Sequence, residues 1–332
     1  MSCRLKSPRA ETTGPRGPVL RGGDGSGQPA YRRILETLAC PACGGVLVER
    51  REPVTLSCGT CGASYAVQDG VPILLTPASR ALLASGQTAA PSPWNPGWLP
   101  GGLVDRIRAR CHTGPGEDRR QQTRVAAFIS EEREGGLVVD LGSGSRRVAA
   151  SVVTVDIGPF PHVDVVADGH RLPFRNDTVS RIVGTGVLEH VNFPERVVAE
   201  MLRILRPGGR IYVAVPFLQG LHPGSGTQQD FHRYTHIGLL QLLAPFTLVE
   251  WGISGGPGAA LAWVLREYLA LPFAWNLGLY RITYFVAGVL TSWLPQLDRL
   301  FDRFPQARRI ACGFYVIGEK SIQQGHDPQG TE

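Results

Sequence analysis

Polar and apolar positions change rhythm several times along the 332-residue chain. Residues 1–30 carry almost no apolar periodicity and are rich in Gly, Pro, Arg and Ser, which predicts a disordered tail. Residues 31–76 form a compact unit holding two Cys-x-x-Cys pairs. Residues 77–118, with AAPSPWNPGWLPGG in the middle, read as a linker whose Trp94 and Trp98 dock onto a neighbouring domain. RRQQTRVAAFISEERE then shows an apolar stripe at Val125, Phe128 and Ile129, the mark of a surface helix.

From there the runs become continuous. LVVDLG, SVVTVDI and RIVGTGVL read as strands buried on both faces. PERVVAEMLRILRPGG has helical spacing and a stop at Pro-Gly-Gly. RIYVAVPF is a strand, HIGLLQLLAPF a short helix, TLVEWGIS a strand and CGFYVIGEK a last one. The alternation predicts an α/β fold: a parallel-type sheet with helices on both faces over 119–256, completed by a final strand at 309–320. Between these, 257–308 is an apolar helical insertion, and 321–332 is a second tail.

Composition adds little to that picture. The net charge is +6, and about half of it falls in residues 1–30, so the basic balance is not a nucleic-acid footprint on the folded part. The N-terminus has no apolar h-region, which predicts a cytoplasmic protein.

The cysteines change it more. Seven is an odd count, and Cys40, Cys43, Cys58 and Cys61 stand in two Cys-x-x-Cys turns. Each turn aims two thiolates at one point, and two turns complete a tetrahedral soft-ligand set suited to Zn²⁺. Gly44, Gly59 and Gly62 ease the tight backbone. With all four positions supplied by protein, the metal is expected to be structural. The segment resembles the zinc-ribbon modules that accompany certain methyltransferases.

DLGSGS follows the first core strand. Its glycines, Gly142 and Gly144, are not followed by the third glycine of a dinucleotide fingerprint, since position 147 is Arg, and the chain has no Walker lysine after them. A dehydrogenase is therefore the weakest reading. The loop and the segments after it, over roughly 135–250, resemble class I S-adenosylmethionine (SAM)-dependent methyltransferases, type 11 group. The resemblance implies a Rossmann-like sheet and SAM as cofactor. It places Asp140, Gly142 and Gly144 against the amino-acid end of SAM, Asp156 on the ribose, Asp168 and Gly169 near adenine following the next strand, Thr185 in the strand-four segment, and Glu189 and His190 after that strand. Sixteen positions separate Asp140 from Asp156, which leaves barely one helical turn where common members have a helix. Arg146 or Arg147 either pairs with the SAM carboxylate or is solvated.

The acceptor pocket is expected at the C-terminal strand ends. VPFLQGLHPGSGTQQDFHRYT lies there, with His222 as the favoured base and Asp230 as a second catalytic candidate; the competing reading pairs Asp230 with Arg233 to pin the loop. This stretch resembles a bacterial subgroup linked to cell-surface polysaccharide pathways. It implies a small-molecule or lipid-linked acceptor, such as a lipid-linked sugar. The insertion caps the pocket, lies in a membrane interface at the inner face, or forms a dimer contact. Trp275, Tyr280, Tyr284 and Trp293 favour a lid that touches membrane. Two alternatives stand beside this reading: an RNA methyltransferase with a zinc module, and a non-catalytic scaffold.

Overall fold

The computed structural model describes residues 30–85, 99–100, 102–104, 106–107, 119–132, 135–221 and 229–322. The expectations for the N-terminal tail before Ala30, for Trp94 and Trp98, for His222 and for the last ten residues lie outside that set.

The described strands are β1 (Leu47–Arg51), β2 (Val54–Cys58), β3 (Ser64–Gln68), β4 (Val71–Leu74), β5 (Leu137–Leu141), β6 (Val153–Asp156), β7 (Val165–Ala167), β8 (Val179–Thr185), β9 (Leu205–Pro216), β10 (Thr247–Gly255) and β11 (Gly313–Glu319). They form one sheet in the order β1-β2-β3-β4-β7-β6-β5-β8-β9-β11-β10. Pairing is parallel from β4 through β7, β6, β5 and β8 to β9. β11 runs antiparallel to both β9 and β10. The continuous apolar runs occupy the central strands, where both faces are covered. Chain order reverses between β5 and β8, and ligands of open α/β sheets sit at the carboxyl ends of strands flanking such a reversal.

Alternation along the strands sorts residues between two faces. Val183, Tyr212 and Ala214 meet Val125 and Phe128 of the surface helix, α3 (Arg119–Ser130). Ile182, Ile211 and Val213 share the main core with Val197, Val198 and Met201 of α4 (Pro194–Ile204) and Leu239 of α5 (His236–Leu242). The spacing of the α4 residues makes one helical face. That helix ends at Ile204, earlier than Pro-Gly-Gly predicts, because Leu205 already pairs with Val179. Gly208, at φ 74°, lies inside β9.

Helices on both faces describe only the later half of the sheet. The crossovers from β5 to β6, β6 to β7 and β7 to β8 contain none. Part of that cover comes from the front module. Tyr31 and Ile34 of α1 (Ala30–Ile34), with Leu38, join Phe174 and the strand residues in one core. The Ala39 amide donates to Pro173 O (3.0 Å) and the Arg175 amide to Thr37 O (2.8 Å). β4 extends the sheet through Ile73–Val166 and Leu74–Ala167 pairing. The module is thus built into the sheet.

A side-chain network takes the place of the missing first helix. Arg147 donates to Val152 O (3.1 Å), His162 O (2.9 Å) and Asp164 Oδ1 (2.6 Å), while buried Asp164 Oδ2 accepts the Thr154 amide (3.0 Å). An ion pair and backbone carbonyls close the short crossover.

The insertion comprises α6 (Pro257–Ala270), α7 (Leu277–Leu290) and α8 (Asp298–Phe301) with short 3₁₀ turns between and after them. Asp298 accepts the Gly258 (2.6 Å) and Ala259 (3.1 Å) amides, capping the first turn of α6. Gly255 and Pro216 both register against Gly313. The insertion therefore leaves and re-enters the sheet at the edge where β9 ends, the same edge that carries the loops after β5 and β8.

Candidate functional site

The loop after β5 folds into the chain-order reversal. Gly142 (φ 69°) and Gly144 (φ 56°) take conformations that side chains disfavour. A Cβ on Gly142 would lie 2.4 Å from Val187 Cγ2, so this glycine admits a neighbouring side chain to the crevice. Arg146 Nη2 donates to Thr185 Oγ1 (2.9 Å), tying the loop to the end of β8.

Three carboxylates stand on this edge in different states. Asp140 is fully buried, and neither of its oxygens has a hydrogen-bond partner. Burial pushes its pKa up to about 7, against the opposing pull of Arg146. Asp156 Oδ2 accepts the Gly144 amide (2.8 Å) and Oδ1 the Gly158 amide (3.0 Å). Burial raises its pKa, and those amides oppose the rise. Asp168 Oδ1 takes the His170 amide (2.9 Å) and faces His170 Nδ1 (2.7 Å), while Oδ2 accepts Ser79 Oγ (2.7 Å). Burial pushes its pKa up, but these hydrogen bonds outweigh that and hold it below the usual range. Ser79 belongs to α2 (Pro77–Ser85), which comes directly after the front module. Gly169 meets only ordinary contact with Val197.

After β8 the chain forms a short 3₁₀ turn, Leu188–His190, which carries Glu189 and His190. Burial pushes Glu189 up to about 8 and His190 down. His190 Nδ1 lies 2.9 Å from Gln229 O, and its Nε2 lies 3.9 Å from Glu189 Oε1. The Phe231 (2.7 Å) and His232 (3.2 Å) amides donate to Glu189 O, and Tyr234 Oη donates to Leu188 O (3.0 Å). Asp230 is engaged through both oxygens by Arg233, which also reaches Gly220 O (3.0 Å). The loop-pinning arrangement is the one present. The structure brings Asp140, Gly142, Gly144, Asp156, Asp168, Thr185, Glu189, His190 and Asp230 to one edge.

In the front module the Sγ atoms of Cys40, Cys43, Cys58 and Cys61 all lie within 4.8 Å of one another. Cys40–Cys61 is 3.8 Å and Cys43–Cys58 3.5 Å. Tetrahedral Zn²⁺ with bonds of about 2.3 Å separates its sulfurs by roughly 3.8 Å, so the set fits that ion. The two turns match: the Gly44 amide donates to Cys40 O (2.7 Å) and the Gly62 amide to Cys58 O (3.1 Å), both glycines at positive φ. Gly59 has no such constraint. Gly45 does, because a Cβ there would fall 2.9 Å from Cys58 Sγ.

Residues 138–213 match the family described as "Methyltransferase domain". An "Uncharacterized methyltransferase" of Mycobacterium avium is 42% identical over 109 residues, covering 33% of this chain and 41% of that protein. A "UPF0434 protein" of Erwinia tasmaniensis is 48% identical over 50 residues, 15% of this chain and 83% of that protein. Residues 138–213 thus carry a methyltransferase domain, and the chain includes a UPF0434 module. The "Probable tRNA methyltransferase 9B" of Homo sapiens is 32% identical over 108 residues, 28% of this chain and 24% of that protein. The chain thus spans less than half the length of the methyltransferase relatives it matches.

For a cationic ligand the crevice offers carboxylate acceptors, one of them unsatisfied. SAM carries an ammonium group and a sulfonium, and buried Asp140 lacks a hydrogen-bond donor at both oxygens. Asp156 has spent two of its roughly four acceptor sites on its own loop, which leaves acceptor capacity facing the crevice. Asp168 is already held by Ser79 and His170. Sequence reasoning missed Ser79, which sits in a stretch read as linker. It also missed Asp164 as the partner of Arg147. Only the extra charge of a buried aspartate just before a strand pointed to the second.

Proposed function

We propose that this methyltransferase transfers the methyl group of SAM to a small-molecule or lipid-linked acceptor, such as a cell-envelope precursor at the inner face of the membrane. The observation that carries the cofactor is Asp140: a buried carboxylate without a hydrogen-bond partner, at the chain-order reversal, beside two glycines at positive φ. Asp140 would face the ammonium group and Asp156 the ribose. Bound SAM supplies an electrophilic methyl, which needs alignment and exclusion of water more than strong acid–base help.

The chain's own residues serve those needs. Arg146 and Thr185 hold the crevice closed on one side, and the Asp230–Arg233 pair holds the 229–234 turn over Glu189. His190 is the proton acceptor for an oxygen or nitrogen nucleophile: its Nδ1–H is fixed on Gln229 O, which leaves Nε2 basic, and burial keeps the ring neutral. Asp230, bound by Arg233, serves to position the turn. Four cysteines hold a structural Zn²⁺ that fixes the module feeding β4 and α2 into the sheet. An apolar insertion on the same edge supports an acceptor with an apolar portion.

Calorimetric titration of zinc-loaded protein with S-adenosylhomocysteine, alongside Asp156→Ala, tests the cofactor. Micromolar binding lost in the variant is expected, and no binding by folded protein overturns the reading. A second reading, RNA as acceptor, is favoured by the named activity of the human relative. Salt-dependent binding of tRNA, with a steep fall in affinity between low and high salt, would establish it in place of the lipid-linked acceptor.

A further inference from the structure

The insertion exposes more apolar surface than a packed lid requires. Along α6, Leu261, Val264 and Tyr268 are exposed at spacings of three and four residues. Along α7 and the turn after it, Leu279, Ile282, Val286, Val289 and Trp293 repeat the same stripe. The inward faces are filled by Ala262, Trp263 and Ala270 on one helix and Tyr284, Phe285 and Ala287 on the other. Both helices are therefore apolar on the packed face and on the outward face. The connecting turn exposes Leu271, Phe273, Trp275 (77%) and Leu277, and residues 268–280 contain no charge. Contiguous patches of this kind mark an interaction surface.

Charge says which kind. Among the described residues of 257–312, the exposed charged side chains are Arg299, Arg303, Arg308 and Arg309. The acids are withdrawn: Asp298 is buried as the cap of α6, Asp302 is half-buried against Arg120, and Glu267 accepts Tyr280 Oη. Because Asp298 caps the start of α6, the arginines extend from the end of the hairpin opposite its uncharged turn. Arg308 stacks over the Trp251 ring of β10 (5.5 Å) through its guanidinium and, with Arg309, His236 and Gln306, lines an open cavity of about 320 Å³. An apolar face with exposed tryptophans and an all-positive rim matches the acyl and head-group layers of an anionic leaflet. Residues 277–301 are long and apolar enough to span. The chain bends through 3₁₀ turns at Leu294–Leu297, and half-buried Arg281 sits in the second turn of α7. Both oppose a span and suit an in-plane position.

We propose that the outer face of the α6–α7 hairpin docks in the interface of an anionic bilayer leaflet, with Arg299, Arg303, Arg308 and Arg309 on its phosphates. This deepens the lipid-linked acceptor reading, because the hairpin leaves the sheet at the edge where the site opens. The test is flotation of the full zinc-loaded chain with phosphatidylcholine vesicles, with and without phosphatidylglycerol, at low and high salt. S-adenosylhomocysteine binding is read on the same samples, so failure of docking and failure of the cofactor reading are separate results. Strong binding to anionic vesicles is expected. Ile282→Asp/Val286→Asp should lower it more than tenfold, and each arginine changed to alanine roughly fivefold. Trp275→Ser, at an exposed turn, gives a second apolar test should the double variant fold poorly. No flotation at low salt, or flotation indifferent to all these variants, overturns the proposal. So does a dimer that Trp275→Ser or the double variant dissociates while vesicles are ignored.

Discussion

Asp140→Asn should make the ligand-free protein more stable and a worse binder. Asp140 is fully buried with no hydrogen-bond partner, and its pKa rises from 3.8 to about 7. At about 1.36 kcal/mol per pH unit this amounts to roughly 4 kcal/mol. The sign comes from proton binding. The folded chain holds this proton more tightly than the unfolded chain, so stability falls as pH rises from about 4 to about 7 and stays low above that. Asparagine removes the charge but buries an amide with donors to satisfy, which costs about 1–3 kcal/mol. The net gain at pH 8 is about 1–3 kcal/mol, a melting-point rise of about 2–8 °C. At pH 5 the gain should shrink or reverse. Loss of a charge-assisted partner for a cationic ligand should weaken S-adenosylhomocysteine at least tenfold. Scanning calorimetry at pH 5 and pH 8, with and without that ligand, reads all of this. A variant that melts like the parent at both pH values, or binds as tightly, refutes the assignment of Asp140.

Asp164→Ala should cost about 3–5 kcal/mol in urea unfolding, because it strands Arg147 and opens the short crossover; a loss under 1 kcal/mol would show the network to be incidental. Ser79→Ala should lower stability at pH 7 by about 1.5–3 kcal/mol. Asp168 has a depressed pKa, so its contribution is present above the unfolded carboxylate value and lost as pH falls through the folded one, and the two proteins should converge in acid. Stripping zinc with a chelator should melt the front module and also weaken S-adenosylhomocysteine binding, since β4 pairs with β7 and Ser79 reaches Asp168; unchanged affinity in the stripped protein would show the two parts to be uncoupled.

Short-range pattern was enough for most features whose residues act together within a few positions of one another, although α2 (Pro77–Ser85) was read as linker. Continuous apolar runs marked the central strands, helical spacing marked α3, α4 and α5, and paired Cys-x-x-Cys turns marked a four-sulfur cluster. The helical insertion was legible for the same reason, while the loop Gly142–Gly144 and the acids Asp140, Asp156 and Asp168 were singled out by the family resemblance. How distant segments meet was settled only by the assembled fold. Ser79 on Asp168, Arg147 on Asp164, Arg146 on Thr185, and β4 beside β7 are contacts between segments 17 to more than 80 positions apart. No local propensity marks them, since each is selected by burial of a charge or a strand edge that only the complete sheet creates. The missing first helix shows the division most plainly. Its absence was written in the spacing of Asp140 and Asp156, but the means of closing the gap, a buried ion pair on backbone carbonyls, exists only once β6 and the chain before β7 lie side by side.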